Sequence, residues 1–331
     1  MAVELRKNDL RNIVISSSSP IRTAVPSSDG RFLAVVNTSP DVVTVHNADS
    51  SLGWSKVCEL RMQVCSLAFR PGLGELALAR VDAHAIERRA IWAHMSLPPI
   101  RFAYPTCVSY SDDGRYLAAG NREGRVMVWD LEAEPGRRIV LHGKITSGRI
   151  TSISISQYSV VMLTAGGGCF RIPMPHADAP GGMRVAAARP ALVGGDNRPY
   201  QWDVYAHAVH PFMPLEAFGG EGGLLVSRHQ VMDSVWVRQT RLGRYIHRLK
   251  FFPSLRLLLA AGEEGVELWR TESIVLSRKW MVSGDFAKLG RAVATVVEKV
   301  ESVTAPEPGL KPLAVTDLEN CPAIFWANVN C

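Results

Sequence analysis

One unit recurs along this chain at a period of about 42 residues, and no other feature limits the possible folds so strongly. Its clearest copy is Thr106 to Leu131, TCVSYSDDGRYLAAGNREGRVMVWDL. Val108 and Tyr110 alternate with Ser109 and Ser111, the period of a half-buried strand. Asp113-Gly114 then supplies a hairpin turn, because glycine tolerates the positive φ that tight hairpins need. Tyr116 to Ala119 read as a second strand, Glu123-Gly124 as a second turn, and Val126 to Trp129 as a third strand.

Other copies repeat this grammar. They contain SSDGRFLAVV (Ile21 to Asn47), VCSLAFRPGLGELALA (Val64 to Arg88), ITSISIS followed by MLTAGGGCFRI (Ile150 to Ile172), VYAHAVHP followed by EAFGGEGGLLVSR (Val204 to Arg228), and IHRLKFFPSLRLLLAAGEEGVELWR (Ile246 to Arg270). A more divergent copy is expected over 281–318, with the long turn ESVTAPEPGLK. Units therefore begin near 21, 64, 106, 150, 204, 246 and 281. Runs at 56–61, 99–104, 138–142, 183–189, 234–238 and 273–280 can each add a fourth strand. Trp202-Asp203 imitates a unit ending. Only about 22 residues would separate that unit from the next, and four strands with three turns need roughly 30. Residues 175–203 are therefore read as an elongated connection that carries a fourth strand. Four antiparallel strands per unit, seven units and this period describe an all-β chain, a seven-bladed β-propeller forming a single domain over 1–331.

The run Val126-Met127-Val128-Trp129-Asp130 resembles the WD40 repeat, and the resemblance extends over essentially the whole chain in degenerate form. The Gly-His dipeptide of that family is absent, with only the reversed pair His142-Gly143 near its place. Glu123 and Glu264 stand where the family has an aspartate in the second turn. The resemblance implies a ring closed by a terminal strand. Residues 12–16 are the expected closing strand, and Ala323 to Ala327 compete for that role.

Charge and cysteine narrow the function classes. The chain has 37 basic and 31 acidic residues, a net charge of +6, too mild a bias for a general polyanion binder. Arginine dominates the cations, favouring planar and bidentate contacts. The six cysteines (58, 65, 107, 169, 321 and 331) form no C-x-x-C pair and have no histidine cluster beside them. That pattern fits reduced, buried thiols in an intracellular protein, with the cytoplasm expected first and the nucleus or an organelle as alternatives. The longest apolar runs, such as Leu257 to Ala261, are far too short for a bilayer-spanning helix, so no membrane insertion is expected. Met1 to Arg11 is too charged to read as a secretory signal.

No catalytic pattern is found. The run His142 to Thr146 lacks the preceding glycine of a phosphate-binding loop and has Ile145 where a hydroxyl must follow the lysine, and neither G-x-S-x-G nor H-E-x-x-H occurs. Asp112-Asp113-Gly114 is a fragment of a calcium loop without its remaining ligands. His207 and His210 are three apart on a strand, which points them to opposite faces. No metal, cofactor or small-molecule substrate is expected, and the chain is read as a non-enzyme.

The most informative charged stretch runs from Arg238 to Arg256, with Arg241, Arg244, Tyr245 and His247 and no acid. In a blade of the WD40 type, the link between outer strand and next inner strand shares a face with the second turn. That would place Arg241, Arg244 and Tyr245 on the face that carries Arg122, Arg125 and Arg149, with Lys144 near them. Such a rim could hold an acidic peptide or the phosphates of RNA. The expected function is a protein–protein interaction scaffold within a larger intracellular complex. The alternative is an RNA-associated subunit of a ribonucleoprotein, ribosomal or assembly particle.

Overall fold

A computed structural model describes residues 11–15, 21–38, 41–49, 53–82, 84–134, 138–155, 159–165, 168–174, 183–184, 191–192, 204–210, 215–220, 223–228, 234–237, 245–252, 257–262, 265–276, 292–303, 306, 310–318 and 321–328. The elements in these residues are β-strands. After β1 (Arg11–Val14), the first sheet contains β2 (Ile21–Pro26), β3 (Phe32–Thr38), β4 (Asp41–Asp49) and β5 (Gly53–Arg61). The second contains β6 (Val64–Arg70), β7 (Glu75–Arg80), β8 (Ala85–Ala90) and β9 (Met95–Arg101). The third contains β10 (Pro105–Tyr110), β11 (Tyr116–Asn121), β12 (Arg125–Asp130) and β13 (Ile139–Lys144). The fourth begins with β14 (Ile150–Ile155), β15 (Ser159–Thr164) and β16 (Cys169–Pro173). Two short strands follow, β17 (Met183–Arg184) and β18 (Ala191–Leu192).

The fifth sheet contains β19 (Val204–Val209), β20 (Leu215–Gly220), β21 (Gly223–Arg228) and β22 (Ser234–Val237). The sixth contains β23 (Ile246–Phe252), β24 (Leu257–Gly262), β25 (Val266–Leu276) and β26 (Ala292–Val303). A terminal sheet combines β27 (Leu310–Leu318) and β28 (Cys321–Asn328) with β1. The chain clusters into two compact units. Tyr205–Thr304 hold the fifth and sixth sheets, and Glu4–Val204 with Ala305–Cys331 hold the others.

This is an all-β fold of propeller blades. Among the described residues, five sheets have the expected four strands, one has five and one has three, so five regular four-stranded blades stand where seven were expected. Three sequence expectations need correction. The run expected to open a seventh unit at 281–318 is divided. Ala292–Val303 is the outer strand of the sixth sheet, paired with β25 from Val266↔Val303 to Leu276↔Ala292. The physical reason is that VELWRTESIVL has no glycine or proline to end it, so β25 continues through 273–276, where a separate fourth strand was expected. Its partner AVATVVEKVESV is rich in β-branched residues suited to a long ladder.

The run 183–189 does not complete the fourth sheet. Met183–Arg184 pairs in parallel with β13, and Ala191–Leu192 joins β16 instead. The outer strand of the second sheet spans Met95–Arg101, earlier than the expected 99–104. Pro98 and Pro99 sit in that edge strand, where a missing N–H interrupts no ladder on the outer side. At the terminal sheet, β1 lies at the edge in parallel with β28, with Ile13↔Phe325 in register, and Ile15 N–H donates to the Trp326 carbonyl (2.8 Å). Residues 12–15 and the competing run 323–327 thus lie side by side.

The core lies between neighbouring sheets, as the two-residue side-chain period requires. Along β7, Leu76 and Leu78 pack with Phe32, Val43 and Val45 of the first sheet. The intervening Ala77 and Ala79 pack with Val108, Leu117 and Ala119 of the third. Along β11, Ala118 turns the other way, into a cluster with Ile150, Val160 and Met162 of the fourth sheet. Inner strands are also stitched laterally. Arg22 Nη2 donates to the Val64 carbonyl, Cys65 Sγ to the Pro105 carbonyl (3.0 Å), and Thr106 Oγ1 to the Ile150 carbonyl (2.5 Å). These bonds join residues 42, 40 and 44 apart, the repeat period made physical. In the other unit, Ala206 and Ala217 pack with Ile246, Phe251, Leu258 and Trp269.

Candidate functional site

The site is built on one buried side chain. Asn121 closes β11 and is 1% exposed. Its Oδ1 accepts the N–H groups of Glu123 (2.9 Å) and Arg125 (2.8 Å), forming a side-chain-stabilised turn. Its Nδ2 donates to the Ala103 carbonyl (3.0 Å) in the link between β9 and β10. The Arg122 N–H donates to the Tyr104 carbonyl (3.2 Å), fastening the same two segments again. A third segment docks at Gly124, whose φ is 77°. A Cβ there would meet the Thr146 carbonyl oxygen at 2.1 Å, and the Ile145 N–H donates to the Gly124 carbonyl (2.9 Å). Glycine is needed at 124 on both counts.

These segments border an open groove of about 420 Å³ lined by Tyr104, Arg122, Glu123, Lys144 and Ser147. Tyr104 adopts φ 50°, unusual for a residue with a Cβ, and is 45% exposed. Its ring packs edge-on against His84 at 4.4 Å. Just before it, the buried Phe102 packs edge-to-face on Trp129 at 5.6 Å and anchors the link. Arg125 and Lys144 are register partners on β12 and β13. Arg125 Nε lies 3.3 Å from Glu123 Oε2, an exposed pair that contributes little to stability. Arg122 and Lys144 are exposed. The arrangement can therefore offer two cations, an aromatic face and one carboxylate to a ligand on a rigid frame.

The structure brings together Arg122, Arg125 and Lys144 at one end of the third sheet, with the exposed Arg149 at the end of the link to the fourth. Arg241 and Arg244 lie outside the described residues. Tyr245 belongs to the other unit, where it packs against Tyr205 at 5.1 Å and His247 at 6.0 Å. Sequence reasoning missed Tyr104 and Ser147. The signal for Tyr104 was its place before Pro105, since a residue preceding proline is restricted and often marks a strand break.

Other titratable groups sit in the interior. Burial pushes the Cys107 and Cys169 thiols up to about 12, so neither is a ready nucleophile. Burial pulls His210 down to about 4 beside Phe251. His207 lies 3.7 Å from Glu216 and packs on Phe218. Among the described residues no group of three or more His, Cys, Asp or Glu could hold a metal ion. Among them too, no helix is long and apolar enough to cross a membrane.

Asp130, which completes the Trp-Asp pair, is 4% exposed and takes Arg115 Nε (3.0 Å) and Nη2 (2.7 Å) on Oδ2. Burial raises its pKa, but the Arg115 bonds and the Glu132 N–H outweigh that and hold it below the usual range.

Comparison with known proteins points to the same segment. The model of the WD domain, G-beta repeat, matches residues 102–130. The human WD repeat and HMG-box DNA-binding protein 1 is 33% identical over 84 residues, covering 24% of this chain and 7% of that protein. The chain thus matches only a small part of that relative's length. The computationally designed Ika8 protein superposes with a TM-score of 0.55 at 13% identity, covering 78% of this chain and 73% of that one, a likeness of fold. With its Trp-Asp ending and the matched repeat, the segment 102–130 is similar to the WD40 repeat, and the sheets that hold it have the form of propeller blades.

Proposed function

We propose that this protein is a non-enzymatic interaction scaffold, a subunit of a larger intracellular, chiefly cytoplasmic assembly. In this reading the described sheets serve as propeller blades that present their turns and links to partners. The groove lined by Tyr104, Arg122, Glu123, Lys144 and Ser147 carries the proposal. Asn121, Gly124 and the two links fix its groups before any ligand arrives, so little ordering is needed on association. In the scaffold reading the ligand is an acidic segment of another subunit, held by Arg122 and Lys144 with Tyr104 beneath it, and Arg125 and Arg149 extend the rim.

A second reading is RNA contact. The exposed Tyr104 beside two cations is what a stacked base and its phosphate require. The relative named for DNA binding accords with nucleic-acid contact as a class. The two readings separate by experiment. Partners co-purifying with the tagged chain are compared with those of an Arg122→Glu/Lys144→Glu variant. Loss of specific protein subunits supports the scaffold, and an unchanged set removes the groove from it. RNA affinity that falls steeply with salt, and is abolished by the same variant, supports the second reading.

A further inference from the structure

We propose that the opposite end of the first three sheets carries a second recognition surface, which docks a basic, amphipathic segment of a partner protein. The turns joining first to second strand, and the 91–94 turn between β8 and β9, lie at this end, away from the Tyr104 groove. They touch one another. Arg70 Nε donates to the Gly114 carbonyl (2.7 Å), tying the second sheet's first turn to that of the third. The Trp92 ring sits edge-on to Phe32 of the first sheet at 4.6 Å. It also covers Gly74, where a Cβ would meet it at 2.6 Å.

On this platform stand Leu73, Trp92 and Met95, respectively 59%, 57% and 56% exposed. They occupy two adjacent turns of one sheet and the first residue of β9, and the turns are joined by the Ile91 N–H donating to the Gly74 carbonyl (3.0 Å). Isolated exposed apolar residues need no explanation, but three large ones at neighbouring turns mark a contact surface. Tryptophan and methionine are the types enriched at protein interfaces. Trp92 is held by Phe32 and Gly74 while more than half of it faces solvent, the condition for a rigid anchor.

Charge selects the occupant. Three cations near these turns are engaged internally. Arg70 and Arg88 pair with the buried Glu75, and Arg115 pairs with the buried Asp130. The carboxylates of Asp29, Asp112 and Asp113 are exposed on the turns that flank the platform. Arg31, 71% exposed and 3.9 Å from Asp29, offsets one of them. An apolar anchor beside exposed carboxylates complements a segment that alternates apolar and basic residues. This end therefore differs in sign from the Arg122–Lys144 groove, so one scaffold can hold two chemically distinct segments without competition.

The test uses the full chain and three labelled synthetic peptides. One is an amphipathic Lys/Leu peptide, the second its Glu/Leu counterpart, and the third a Lys/Ser peptide of equal charge. Fluorescence anisotropy should show the Lys/Leu peptide bound at least about tenfold more tightly than either control. Leu73→Ser/Met95→Ser should weaken it about tenfold. These residues are exposed, so thermal melting should be unchanged. Asp112→Lys should weaken the same peptide and flatten its salt dependence, while Arg122→Glu/Lys144→Glu leaves it unaffected. Equal binding of the three peptides overturns the proposal, as does indifference to both Leu73→Ser/Met95→Ser and Asp112→Lys. Concentration-dependent dimerisation abolished by Leu73→Ser also overturns it, in favour of a second copy of the chain as occupant.

Discussion

Gly120 stands directly against Ile150: a Cβ at 120 would lie 2.6 Å from the Ile150 Cγ2 and 2.9 Å from the Cys107 Sγ. Gly219 has the same relation to Ile246, at 2.5 Å. In both cases the penultimate glycine of the second strand admits the first side chain of the next sheet's inner strand. Gly120→Ala is expected to lower stability by about 1–3 kcal/mol through overpacking. In urea unfolding, Gly120→Ala combined with Ile150→Ala should cost less than the sum of the two single changes, because the second removes the obstruction.

Glu75 is the hub of a buried ionic cluster. It accepts from Arg88, from Tyr110 Oη (2.7 Å) and from Arg70 Nη1 (3.3 Å). Burial raises its pKa, but the bonds from Arg88, Tyr110 and Arg70 outweigh burial and leave it below its ordinary 4.5. A depressed carboxyl stabilises the fold above its unfolded value, and that contribution is lost as pH falls through the lower folded value. Glu75→Gln should therefore flatten the acid limb of a stability–pH curve below about 4.5. Glu75→Ala should cost about 3–5 kcal/mol at neutral pH by stranding two guanidinium groups.

His210 gives a separate pH signature at higher values. Burial lowers it from 6.5 to about 4, so the folded state keeps it neutral while the unfolded state takes a proton. Stability is complete above 6.5 and falls as pH drops toward 4, at roughly 1 kcal/mol per pH unit. His210→Asn should remove that slope between pH 6.5 and 4 in denaturant titrations, whatever it does to stability at pH 7.

Asn121→Ala removes three hydrogen bonds from the groove without touching its charges. A local loss of about 1–3 kcal/mol is expected. The amides of Glu123 and Arg125 should exchange with solvent faster. Partner binding should weaken even though Arg122 and Lys144 remain.

The repeat was legible because its signals are local. The inner strands expected near 21, 64, 106, 150, 204 and 246 begin at Ile21, Val64, Pro105, Ile150, Val204 and Ile246. Each follows a link and opens with alternating side chains, and the Asp113-Gly114 turn takes φ 72° at its glycine. Fourth strands were less legible, because an outer strand meets only one neighbour and its sequence is weakly constrained. Ala191–Leu192 joins the fourth sheet through only two register pairs. The pairing of β25 with β26 depended on a run continuing where a break was expected. Of the site, Arg122, Arg125 and Lys144 could be placed together from the blade grammar. Nothing local in the sequence singles out the buried Asn121, because its link to Ala103 joins residues 18 apart across a strand hairpin.

The parallel seam between Arg11–Val14 and Ala323–Trp326 imposes an order in time. During synthesis β1 emerges long before the hairpin it will flank, and two strands in parallel cannot nucleate through a tight turn. The terminal sheet therefore cannot be completed until the intervening sheets have been synthesised. Until then β1 has no partner on the nascent chain, and the exposed flank of β2 awaits Ala327. A chaperone engaged during translation would find its clearest target there.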